Sequence, residues 1–71
     1  MKYLIVTYDD DETFYELSDI DKIICDYAQN FFSEADLKGN DLKPLEMLTI
    51  MHFRNGNTAT YSTAKLEMSF D

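Results

Sequence analysis

The apolar residues between Ile20 and Phe32 constrain this chain of 71 residues more than any other feature. Ile20, Ile23, Ile24, Tyr27, Ala28, Phe31 and Phe32 recur at the i, i+3, i+4, i+7, i+8 spacing of one helical face. Ser18 stands where an N-cap would, with Asp21 three residues later. Asp19 and Asp21 fall in the first turn, where the helix dipole favours negative charge. The spacing predicts a helix over 19–32. A single amphipathic helix must bury its face against a sheet, so a sheet has to be found elsewhere in the chain.

The flanking segments supply its strands. "KYLIVTY" (2–8) is β-branched and aromatic, and "TFYEL" (13–17) follows it across an acidic connection of about four residues. Residues 33–44 read as a connection punctuated by Gly39 and Pro44, with Ser33 and Asp36 capping one short helical turn. "LEMLTIMHF" (45–53) is a further strand, and Asn55-Gly56 after it signals a two-residue type I′ hairpin. That turn would set Phe53 opposite Thr58, Met51 opposite Thr60 and Ile50 opposite Tyr61. Residues 58–70 form one bent strand or two, broken near Ala64-Lys65, with Leu66, Met68 and Phe70 alternating toward a buried face. No repeat is visible. The expectation is a single α+β domain over 1–71. It has two layers, one helix on an antiparallel sheet of four or five strands, in the order β-β-α-β-β.

Composition bounds the function. One cysteine excludes an internal disulfide, so the fold rests on its core or on a partner subunit. "MKYLIV" is too short for a signal peptide and no apolar run would cross a bilayer, which makes a reducing cytoplasm the expected compartment. A deep catalytic pocket is hard to build at this length, because side chains spent on a core cannot also line a cavity.

Charge is one-sided. Residues 1–36 hold ten acids against Lys2 and Lys22, a balance of −8, whereas 37–71 hold four acids against four bases and balance at zero. The excess gathers between residues 9 and 26. Such a field repels nucleic acid and anionic membranes and attracts basic surfaces.

Three chemistries could in principle use these residues. "LIVTYDDDET" resembles the strand-then-DxDxT pattern of haloacid dehalogenase-like phosphatases, which would make Asp9 the nucleophile, Asp11 the acid/base and Mg²⁺ the cofactor. That family needs a doubly wound parallel sheet, a later lysine and another acidic pair, and this chain has neither the length nor those motifs. A calcium loop beginning at Asp9 would need Gly sixth and Glu twelfth, where Phe14 and Ile20 stand. Cys25 and His52 are the only residues that could make a nucleophilic pair, and a lone Cys on an apolar element is usually filler. The expectation is a non-enzyme with no catalytic residue, metal or cofactor.

Two readings of the acids remain. They are a solvated turn and helix start, or they form a surface of Asp9, Asp10, Asp11, Glu12, Glu16, Asp19 and Asp21 with Tyr8 and Tyr15 as aromatic anchors. On the second reading the partner is a basic, nucleic-acid-binding protein, and the chain itself contacts no nucleic acid. In size, acidity and want of a cofactor the whole chain resembles phage- or mobile-element-encoded inhibitors such as anti-restriction and anti-CRISPR proteins. That resemblance implies a nucleic-acid mimic. The rival reading is a structural or regulatory module that forms a homodimer through its sheet edge or apolar face, its charge serving only solubility.

Overall fold

The computed structural model describes residues 2–71. It is a small α+β-like domain of two three-stranded antiparallel sheets and one short helix. Its elements are β1 (Tyr3–Tyr8), β2 (Asp11–Glu16), β3 (Ile20–Tyr27), α1 (Glu34–Gly39), β4 (Met47–Phe53), β5 (Thr58–Ser62) and β6 (Leu66–Phe70). Short 3₁₀ turns at Leu17–Asp19, Ala28–Asn30 and Thr63–Lys65 separate several of them. One sheet runs β2-β1-β6 and the other β3-β4-β5, so the single sheet and the β-β-α-β-β order of the sequence reading do not hold.

The largest correction concerns residues 19–32, which hold a strand and two 3₁₀ segments instead of a helix. The pairing of β3 with β4 slips between Ile20 and Lys22, leaving Asp21 as an extra, bulged residue. Ile20 and Ile23, three apart, therefore share a face, as they would on a helix. Ile23 and Ile24 are adjacent and point to opposite faces, which the helical wheel merged into one stripe. Three β-branched isoleucines also suit a strand once a long apolar partner, β4, is at hand.

Chain connectivity repeats. Residues 3–27 and 47–70 each run hairpin, 3₁₀ turn, strand. Each third strand leaves its own hairpin and joins the other: β3 pairs with β4, and β6 pairs with β1. By register Leu4, Val6 and Tyr8 correspond to Thr49, Met51 and Phe53, and Tyr15 corresponds to Tyr61. Aromatic contacts obey the same relation, Tyr8 on Tyr61 at 5.1 Å and Tyr15 on Phe53 at 5.2 Å.

Between the sheets lies the main core. Leu4, Val6 and Met51 are fully enclosed, with Tyr15, Leu17, Ile20, Phe53, Ala59, Tyr61 and Leu66 packed around them. Full burial of each such aliphatic side chain stabilises the fold by roughly 1.5–3 kcal/mol. A second cluster joins Ala28 and Leu37 to Leu48 on the outer face of the β3-β4-β5 sheet. There α1 is held by its ends. Ser33 accepts the Asp36 N–H at 3.3 Å, and Leu42 returns its N–H to Leu37 at 2.8 Å past Asp41 in the left-handed conformation. The Ser33–Asp36 cap is the one the sequence indicated.

Both hairpins differ from expectation in their turns. Asp9 and Asp10 have φ of 52° and 70°, the two left-handed positions of a type I′ turn joining Tyr8 to Asp11. Asn55-Gly56 makes a three-residue loop instead. Gly56 returns its N–H to Phe53 at 3.0 Å and alone takes a positive φ of 90°, while Phe53 donates to Asn57 at 2.9 Å. The longer loop moves the register by one, so Met51 faces Ala59 and Ile50 faces Thr60.

Candidate functional site

Alternation along β1 decides which residues look outward. Leu4 and Val6 point into the core, so Tyr3, Ile5 and Thr7 line the other face of their sheet. Their neighbours across the strands form three rows: Glu12, Thr7 and Glu67; Phe14, Ile5 and Ser69; Glu16 and Tyr3, with Asp71 donating its N–H to Tyr3 at the end of β6. Helix α1 packs on the other sheet and leaves this face open. Phe14 is 56% exposed and meets Tyr3 edge-on at 6.4 Å. An aromatic and aliphatic stripe thus lies between two acidic rows. Among the described residues that point outward from these strands there is no lysine or arginine.

The acids singled out in the sequence do not form one cluster. Asp9 and Asp10 make the exposed hairpin tip, with Asp11 and Glu12 next to it. Glu16 stands at the far end of β2, roughly 17 Å from Asp11 at about 3.4 Å per residue. Asp19 lies in the 3₁₀ turn and Asp21 in the bulge, both exposed.

A cation sits near each end. Lys65 and Glu67 share a shallow depression with Asp9 and Asp10, and Arg54 shares another with Glu16 and Asp19. Arg54 also donates its backbone N–H to Asp19 O at 2.9 Å and its Nε to Ser18 O at 2.8 Å.

Tyr8 and Tyr15 are half-buried between the sheets. Tyr15 meets the Tyr61 hydroxyl at 2.9 Å, and Tyr8 Oη accepts the Ser62 N–H at 3.4 Å. The aromatic rings on the outer face belong to Tyr3 and Phe14. Sequence reasoning missed these two, together with Glu67 and Asp71. The signal was the alternation of "LEMSF", which puts Glu67 on the face opposite Leu66. That alternation does not bury the whole Leu66 side as expected, for Met68 and Phe70 at the end of this outer strand are 41% and 70% exposed.

Cys25 lies opposite Thr49 on the inward side of β4, whereas His52 lies opposite Lys22 on the outward side, so the two cannot meet. Among the described residues no group of three His, Cys, Asp or Glu is placed to hold a metal ion, and no helix is long and apolar enough to cross a membrane. Comparison with known proteins gives no relative, for no protein-family model, curated protein or solved structure matches the chain.

Proposed function

We propose that this is a non-enzymatic binding domain whose open β2-β1-β6 face engages a basic protein surface. The observation that carries the reading is the Tyr3–Ile5–Phe14 stripe between Glu12, Glu67, Glu16 and Asp71, with the Asp9-Asp10 tip beside it. Apolar rings supply area that gains from leaving water, and the carboxylates around them, in excess over Lys65 and Arg54, select and steer a cationic partner. The reading extends to a nucleic-acid-binding protein, whose basic groove the carboxylates would fill in place of phosphates. Inhibitors of phage or mobile-element type act in that way, and the setting would be the cytoplasm.

The test is affinity capture from the native host's lysate at low and high salt, comparing the wild type with a Glu12→Lys, Glu67→Lys variant. Captured proteins should be basic, should be released by salt and by added DNA, and should be lost by the variant. Capture that ignores salt, DNA and the two reversals would overturn the reading.

A further inference from the structure

β3 is an outer strand of its sheet, with one edge unpaired among the described residues. Ala28 donates its N–H to Glu46 at 2.8 Å, and hydrogen-bonded pairs recur at every second residue of an antiparallel ladder. Lys22, Ile24 and Asp26 therefore direct their backbone groups toward β4, and Ile23, Cys25 and Tyr27 direct theirs outward. The Tyr27 N–H is taken by Asp26 Oδ1 at 2.7 Å, as an outward donor would be. The edge is also apolar, with Ile23 36% and Tyr27 43% exposed. An edge of this kind is a template for another strand.

From these positions we infer that β3 pairs antiparallel with β3 of a second copy, about a two-fold axis at Ile24. An axis normal to the sheet keeps inward residues opposite inward residues, so only registers centred on a residue are open. Centring on Ile24 sets Lys22 opposite Asp26 of the other copy, twice, and lets Ile23 exchange both backbone bonds with Cys25 of the other copy. Centring on Ile23 sets Lys22 against Ile24, and centring on Cys25 sets Ile24 against Asp26. The competing edges lack this complementarity: β2 carries Asp11, Glu12 and Glu16 without a cation, β5 carries no charge, and β6 carries Glu67 alone. Pairing extends the β3-β4-β5 sheet to six strands across two copies and leaves the acidic face of the other sheet free in each. The inference does not depend on what that face binds.

Sedimentation of the full chain tests it. The wild type should form a dimer, and Lys22→Asp alone or Asp26→Lys alone should lose it, because like charges then meet twice. Mixing the two variants should restore the dimer, since every contact across the mixed pair is again between opposite charges. A monomeric wild type, or single variants that dimerise as well as the wild type, would overturn the inference. Asp26→Lys also removes bonds from Asn30 and Tyr27 and can unfold the chain. A cross-link therefore decides independently. Ile23→Cys should oxidise with Cys25 of the other copy to a covalent dimer, and the same variant carrying Cys25→Ser should not. Absence of that cross-link overturns the register.

Discussion

The hydroxyls of Tyr15 and Tyr61 lie 2.9 Å apart, and the two residues occupy the same position in the two repeated halves of the chain. Each ring packs on the other half's hairpin, so this bond joins the two sheets where the internal symmetry crosses.

Alkaline pH should loosen that junction. Burial first, and then the bond with Tyr15, push the Tyr61 phenol up to about 12, above the ordinary value of about 10. A raised folded-state pKa means that the folded chain holds the proton more tightly than the unfolded one. The contribution is full below about pH 10 and is lost as pH climbs through about 12. Melting temperature followed across that range should fall less steeply for Tyr61→Phe than for the wild type. Equal slopes would show that the pair carries no such linkage.

Met51 is the test of where the core lies. It is fully enclosed against Leu4 and Val6, so Met51→Ala should cost about 2–5 kcal/mol in chemical unfolding. Ile24 is only half-buried and lies on the opposite face of the same sheet, and Ile24→Ala should cost clearly less. The reverse ranking would place the centre of the core on the other face of this sheet.

The two turns should respond in opposite directions. Gly56→Val forces a β-branched residue to φ of 90° and should cost roughly 1–3 kcal/mol. Nothing lies within 4 Å of an added Cβ, so the cost is conformational. Asp10→Gly removes a side chain from a left-handed position and one charge from the tip, and should stabilise by about 1 kcal/mol. Thermal melts of the two variants read both effects.

On the acidic face, charge and apolar contact should separate kinetically. With a captured basic partner, Glu12→Lys and Glu67→Lys should mainly slow association, and more so at low salt. Phe14→Ala should chiefly raise the dissociation rate, because an exposed ring in the middle row of the face acts as an anchor. Surface plasmon resonance at two ionic strengths distinguishes them. A Phe14 variant indistinguishable from the wild type would remove the stripe from the interface.

Much of the local structure could be read from the residues themselves. β1, β4, the Ser33 cap and the break before Leu66 follow from β-branched runs, capping chemistry and alternation. What failed was non-local. A bulge at Asp21 let a strand imitate helical spacing, and no local rule reveals a bulge before its partner strand is known. Asn55-Gly56 and Asp9-Asp10 exchanged roles because loop length is set by the whole ladder and not by the dipeptide. The repeat stayed hidden because corresponding positions hold different residues, Leu4 with Thr49 and Tyr8 with Phe53 among them. The acids of 9–21 looked contiguous in sequence, yet a six-residue strand separates them, while β6 brings Glu67 and Asp71 from the other end of the chain.

The exchange of third strands also dictates an order of events during synthesis. β1 and β2 can pair as soon as they are made, but the strand that completes their sheet is Leu66–Phe70. Until β4 and β5 leave the ribosome, the inner face of the first hairpin, with Leu4 and Val6, has no second sheet to pack on, and until Leu66–Phe70 follow, the edge of β1 stays open. Contacts this distant in sequence fold slowly, on a scale of milliseconds to seconds for all-β topologies. The nascent chain must keep that apolar face from other chains throughout. The run of acids at the tip of the same hairpin, made immediately after β1, gives it a like-charged guard while it waits.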